Sequence, residues 1–299
     1  MDEGAWRDPD WLSSAYDWID GRLADLGRER TGAIDQPHVR PWSTVLRVPT
    51  AAGPAWFKAN AGPLRHEAGV VSLIAARRPE VVPPLLAADP ESGWMLMADA
   101  GEPLRTVVER ERSLDRWYDV LPRYAEVQRA LAGDVDDLLA LGVPDMRLAT
   151  LPERYEALVD RVAAEPRFRA ATPMVRDLCA ELAAERIPET LQHDDLHDGQ
   201  VFVHAGRHLI LDWADACVTH PFFTLSVTLE GGLAWGLDDV ENSVDTAPFA
   251  TAYLAGFPGG SGVLPAALRL GWVCRAINGD VGNDEQTRTR LRMFLDGRP

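Results

Sequence analysis

Apolar residues near the start recur at three- and four-residue steps. Trp11, Ala15, Trp18, Ile19 and Leu23 share one face, which predicts a helix within residues 1–30. Arg40-Pro41-Trp42 breaks the chain, and the period then shortens. Residues 43–48 and 55–58 read as two short strands joined by a Thr-Ala-Ala-Gly-Pro hairpin turn. Helical spacing returns over 64–78, where Leu64, Ala68, Val71 and Ile74 line one side. Residues 81–86 and 93–97 are strand-like about an Asp-Pro-Glu-Ser-Gly turn. The order strand, strand, helix, strand, strand predicts a small sheet carrying one helix.

Beyond residue 100 the pattern is helical. One segment covers 103–132, with Pro122 a kink or a fresh start. The next opens on Thr150-x-x-Glu153, a capping box, and another follows Thr172-Pro173. A compact β-like stretch occupies 191–203 and 208–213, and the remaining third is mostly helical with a Pro-Gly-Gly-Ser-Gly joint at 258–262. The chain has no internal repeat. It divides into a β-rich part, 1–100, and a larger helical part, 101–299.

Composition narrows the class. The 299 residues suit two domains or one domain of two lobes, and 46% hydrophobic with 25% charged residues excludes a disordered or fibrous chain. A net charge of −16 repels nucleic-acid phosphate and anionic lipid, leaving cationic or neutral partners. Cys179, Cys217 and Cys274 are odd in number and far apart, which suggests reduced thiols. The acidic start lacks a signal pattern and no apolar run suits a membrane span, so a cytoplasmic monomer or homodimer is expected. Lys58 is the only lysine among thirty basic residues. In a chain that otherwise uses arginine, it is either a compact ammonium with a specific job or a chance solvated lysine.

The densest polar cluster is His193-Asp194-Asp195-Leu196-His197-Asp198-Gly199-Gln200, followed by Asp212, with apolar segments on both sides. Carboxylates held among apolar strands need compensation. A divalent cation, a helix terminus or an arginine would each supply it. His193 suits bracing of the loop backbone; His197, His204 and His208 suit hydrogen-bonding or surface roles. Asp215 suits a helix cap or a metal ligand.

His193-x-Asp195-x-x-x-x-Gln200 with Asp212 after an apolar strand resembles the catalytic and metal-binding loops of the aminoglycoside phosphotransferase family. Upstream, Ala55-Trp56-Phe57-Lys58 looks like that family's lysine-bearing strand, with Glu67 as the lysine's partner and Met97 to Asp99 at the hinge over adenine. The resemblance spans roughly residues 40–225. It implies an α+β, two-lobed protein-kinase-like fold with a small β-rich N-terminal lobe that binds nucleotide and a larger helical lobe for catalysis and acceptor binding. It implies ATP and Mg2+, and transfer of the γ-phosphate to a hydroxyl of a small molecule. The acceptor would be an antibiotic such as an aminoglycoside, an antibiotic-resistance activity, or an amino sugar.

The implied roles follow position by position. Lys58 would hold the phosphates and Glu67 would orient it. The backbone around Ser43 and Thr44 would cradle phosphate, and Met97 and Asp99 would border the base. Asp195 would take the acceptor's proton, while Gln200 and Asp212 would hold metal. Apart from the resemblance, the acidic run Glu230, Asp238, Asp239 and Glu241 reads as a solvated face or, with Asp198, as a site for a cationic acceptor. Four departures stand out: Gln200 replaces an asparagine, Asp194 a glycine and Thr224 an aspartate, and the 39–44 loop is not glycine-rich. Two other readings stay open. One is a metal-dependent hydrolase built on His193, Asp195, His197, Asp198 and Asp212; the other is a kinase-like binding protein without catalysis.

Overall fold

The computed structural model describes residues 3–162, 165–279 and 284–297. The chain divides into two compact units, 1–102 with 202–214, and 103–201 with 215–299. Residues 202–214 thus pack with the first unit although they follow half of the second.

In the first unit, the Asp8 carboxylate accepts from the N–H groups of Asp10 and Trp11 at 3.0 and 3.1 Å and starts helix α1 (Pro9–Asp25). Strands β1 (Asp35–Arg40), β2 (Ser43–Val48), β3 (Ala55–Asn60), β4 (Leu85–Asp89) and β5 (Trp94–Ala98) form an antiparallel sheet in the order β1-β2-β3-β5-β4. Helix α2 (Glu67–Arg77) packs against β4. Strand β1, which contains Pro37, lies before the first strand the sequence pattern predicts. As an edge strand, β1 tolerates a missing N–H. Strand β4 begins at Leu85, after Pro83 and Pro84, which lack ladder donors.

Alternation along β3 sorts its side chains. Ala55, Phe57 and Ala59 join Ala15, Ile19 and Leu23 of α1 in one buried core. Trp94 and Trp18 meet Phe57 edge-on at 5.5 and 5.7 Å. Each such pair adds about 0.5–1.5 kcal/mol beyond area burial. The same alternation sends Lys58 and Asn60 to the other face. The core face therefore sets where the lone lysine points.

Beyond β6 (Glu102–Pro103), the second unit contains α3 (Leu104–Glu111), α4 (Trp117–Leu131), α5 (Val135–Ala140), α6 (Leu151–Val162), α7 (Pro166–Ala170) and α8 (Thr172–Ala184). Pro122 lies inside α4; the fresh start falls at Trp117. Strand β7 (Thr190–Gln192) precedes the 193–200 loop. In the first unit, β8 (Val201–His204) and β9 (Arg207–Ile210) form a hairpin whose Ala205 and Gly206 both have positive φ, as a tight turn between twisted strands requires. Strand β10 (Cys217–Thr219) pairs with β7, and α9 (Ala247–Leu254), α10 (Leu264–Asn278) and α11 (Asp284–Asp296) complete the second unit. No described helix is long and apolar enough to cross a membrane.

The Gln128 amide on α4 ties the second unit together. It donates to the Pro221 carbonyl at 2.9 Å and accepts from the Tyr253 hydroxyl of α9 at 2.5 Å, while the Gln128 backbone carbonyl accepts from the Thr190 hydroxyl of β7 at 2.7 Å. The buried His220 imidazole accepts from the Phe222 N–H, and burial pushes its pKa down to about 3.

Two outcomes test these packing claims. Gly101 has φ +83° and a Cβ there would press into the Val203 carbonyl, whereas Gly53 at φ +100° faces open space. Gly53→Ala should cost about 1–2 kcal/mol from backbone strain alone, and Gly101→Ala clearly more in urea denaturation; equal losses would contradict the close approach. His220 stays neutral when folded yet takes a proton at about pH 6.5 when unfolded. Its contribution is present above pH 6.5 and is lost as pH falls towards 3, at about 1.4 kcal/mol per pH unit. His220→Asn, which keeps an acceptor for the Phe222 N–H, should lack that component.

Candidate active site

In the first unit, Lys58 of β3 and Glu67 at the start of α2 form a buried pair. Lys58 Nζ lies 2.9 and 2.7 Å from Glu67 Oε1 and Oε2. Asn60, two residues on and so on the same strand face, donates to Glu67 Oε2 at 2.5 Å. Glu67 is fully buried, and burial raises its carboxyl; the Lys58 ammonium opposes this without cancelling it. Burial likewise disfavours the charged lysine, but the carboxylates of Asp212 and Glu67 more than reverse this and hold it as an ammonium. Asp212, just after β9, places Oδ1 2.6 Å from Lys58 Nζ. It carries φ +61°, a left-handed backbone that aspartate tolerates better than most residues.

Other expected nucleotide residues occupy the same unit. The Thr44 hydroxyl donates to the His38 carbonyl at 2.8 Å and accepts from the Gln36 amide at 3.0 Å, so it is committed within the sheet. Ser43 is buried at the start of β2. Met97 is buried on β5 opposite Trp56, whose indole N–H donates to Asp99 Oδ1 at 2.8 Å. The structure brings Lys58, Glu67 and Asp212 together and uses the side chains of Thr44 and Asp99 as local braces.

In the second unit, the loop after β7 is held from below. The His193 N–H donates to the Tyr124 hydroxyl at 2.9 Å, and the His193 Nδ1 accepts from the Asp195 N–H at 3.3 Å. His193 therefore braces the loop. Thr224 does the joining: its hydroxyl contacts Tyr124 and Gln192, and lies 3.4 Å from the Asp194 N–H. Leu196 is anchored through its carbonyl by Thr228 at 2.7 Å.

Arginine is the answer to the carboxylate cluster. Arg275 of α10 donates to Asp194 Oδ2 at 3.2 Å and Asp215 Oδ2 at 2.7 Å, and sits 2.8 Å from Asp195 Oδ1. Asn278 adds a bond to Asp194 Oδ2 at 3.0 Å, and Gln192 one to Oδ1 at 2.8 Å. Burial pushes the Asp194 carboxyl up against the pull of Arg275. Burial works against the charged Arg275 too, but Asp194, Asp195 and Asp215 overcome it and raise its pKa. Sequence reasoning missed Arg275 because it is one arginine among many and lies 80 residues downstream. It also missed Asn60, which the period of β3 already placed beside Lys58.

The remaining candidates are dispersed over local contacts. Asp198 takes two bonds from Arg105 at 3.0 and 2.8 Å, and the Gln200 N–H donates to the His197 carbonyl at 2.9 Å. Glu230 accepts from the Trp272 indole at 2.6 Å. Asp238 forms an exposed pair with Arg112, and Asp239 occupies a turn at φ +55°.

Among the described residues, one group of three or more His, Cys, Asp or Glu converges closely enough to hold a metal: Asp194, Cys217 and Cys274. Its carboxylate already belongs to Arg275. The Cys274 thiol is pushed well up by its hydrogen bond with Cys217 and by burial, so it stays protonated. His193, Asp195, His197 and Asp198 do not converge in this way. Asp212 and the Gln200 amide remain oxygen donors of the hard type that magnesium takes. The Asp212 side chain, in the first unit, is 45% exposed, and its carboxylate is a ligand type that fits the ion.

The fold has counterparts among known proteins. The chain resembles a choline/ethanolamine kinase family protein from Mesorhizobium loti at TM-score 0.63 and 17% identity, covering 95% of both chains. It resembles the GDP and kanamycin complex of APH(2")-IIia at 0.63 and 15%, covering 95% and 97%. A third match is a fructosamine-3-kinase from Thermobifida fusca at 0.60 and 19%, covering 93% and 99%. At these identities the likeness shows the kinase-like, two-lobed α+β fold. No curated protein matches the chain in sequence. The family model of phosphotransferase enzymes matches residues 33–263, and the chain belongs to that family of small-molecule kinases.

Proposed function

We propose that this chain moves the γ-phosphate of Mg-ATP to a hydroxyl of a small, cationic molecule. The observation that carries the reading is the buried Lys58–Glu67 pair, joined by Asp212, within a phosphotransferase family member. A lone lysine held as an ammonium between two carboxylates is suited to nucleotide phosphates. Lys58 would hold the α- and β-phosphates, and Glu67, itself fixed by Asn60, would keep the ammonium in place. Ser43, Thr44, Met97 and Asp99 would contribute backbone or apolar surface to the nucleotide.

Asp212 and Gln200 would hold magnesium, which when bound neutralises charge on the β- and γ-phosphates. Asp195 would accept the acceptor's proton as the hydroxyl oxygen bonds to phosphorus and the bond to the ADP oxygen breaks. The acceptor is read as cationic from the acid excess of the chain, −16 overall. Amino sugars and aminoglycosides fit that chemistry. An ATP-dependent reaction and cysteines that are free thiols suit the cytoplasm.

The test is an acceptor panel of kanamycin, choline, ethanolamine and amino sugars incubated with Mg-ATP and followed by 31P NMR. One acceptor should gain a phosphoryl group as ADP forms; magnesium-dependent loss of ATP without a phosphorylated acceptor would contradict the transfer. Lys58→Met should raise KM for ATP and lower kcat by about 10- to 100-fold, the worth of a charged hydrogen bond. Its circular dichroism should stay parental. An unchanged rate would remove Lys58 from the phosphate site.

A further inference from the structure

Arg275 is only 8% exposed, so its charge needs partners in the fold. Gly271, Cys274, Arg275 and Asn278 lie along one face of α10. Gly271 lets that face approach closely, since a Cβ there would stand 2.5 Å from the Phe223 carbonyl. Arg290 of α11 donates to the Arg275 and Gly279 carbonyls at 3.1 and 2.9 Å and fixes the helix end. The guanidinium is delivered to the 193–200 loop by a rigid support.

Its two ends do different work. Nη1 engages Asp194 and Asp215, while Nη2 engages Asp195 Oδ1. Asp194 is the most buried of the three, with 2% of its side chain exposed, and Gln192 and Asn278 lock it. Its φ of +66° is a left-handed backbone that aspartate tolerates better than most residues. Asp195, with 27% of its side chain exposed, has Oδ1 occupied and Oδ2 3.8 Å from His197 Nε2. An exposed carboxylate of this kind otherwise samples several rotamers. A planar fork already held by two other carboxylates selects one.

We infer that Arg275 is a positioning residue for Asp195, and that Asp194 is the buried counter-charge that fixes Arg275. The inference rests on the phosphotransferase reading in one respect, that Asp195 faces the acceptor hydroxyl. Arg275 touches no reacting atom. It sets the carboxylate that does.

A mutant cycle separates positioning from charge balance. Arg275→Met leaves Asp194 buried and unpaired, and should lower Tm by about 10 °C. Arg275→Met with Asp194→Asn removes both charges and should recover most of that loss. If Arg275 positions Asp195, the double variant still turns over about 10- to 100-fold more slowly on the acceptor found by the panel, with KM for ATP unchanged. Its crystal structure shows Asp195 in a new rotamer. A recovered Tm with either the parental rotamer or parental turnover overturns the inference. Arg275→Lys gives a second route if the double variant fails to fold: one ammonium cannot span Asp195 and the Asp194–Asp215 pair, so kcat falls at near-parental Tm, and parental kcat overturns the inference. If the parent phosphorylates nothing, the functional reading fails, while the Asp195 rotamer in the double variant still decides the positioning.

Discussion

A charge removed from water must find its opposite inside the fold, and in each unit of this chain one cation organises the carboxylates around it. In the first unit Lys58 is matched by Glu67 and Asp212. In the second, Arg275 is matched by Asp194, Asp195 and Asp215. Desolvation opposes the charges of Lys58, Glu67, Asp194 and Arg275 singly, and each arrangement persists because the partners arrive together. The surrounding fold serves that arrival: alternation along β3 aims the lysine, and the close-packed face of α10 aims the arginine.

The two cations differ in kind for a physical reason. The ammonium of Lys58 is a compact point charge that three carboxylate oxygens share. The guanidinium of Arg275 is a fixed fork with separate contacts at each end, suited to holding carboxylates in register. A chain that otherwise uses arginine keeps its single lysine at the position the proposed function assigns to the nucleotide phosphates.

Much of the first unit was legible because its signals are local. The hairpin of β2 and β3 and the helix expected over 64–78 and found at Glu67–Arg77 lie within short stretches whose periods differ visibly, whereas the Lys58–Glu67 pairing was legible only through the family resemblance. The loop from His193 to Gln200 was legible as chemistry from its density of polar groups between apolar flanks. The role of Asp194 was not, since its partners Arg275 and Asn278 are more than 80 residues away and carry no pattern of their own. Thr224 was legible only as a departure from relatives. In the fold its hydroxyl joins Tyr124, Gln192 and the Asp194 backbone, a bracing task that needs hydrogen bonds and no charge. Strand β1 lies outside the strands the pattern predicts, and as an edge strand it accepts a proline that a central one rejects.

The central claim is that two aspartates do different work, Asp212 on the nucleotide side and Asp195 on the acceptor. Calorimetric titration of Mg-ATP into Asp212→Asn and Asp195→Asn tests it most directly. The account predicts that Asp212→Asn loses at least about tenfold in affinity, the scale of one charged contact, while Asp195→Asn binds Mg-ATP within a few-fold of the parent. Equal losses in the two variants would contradict it.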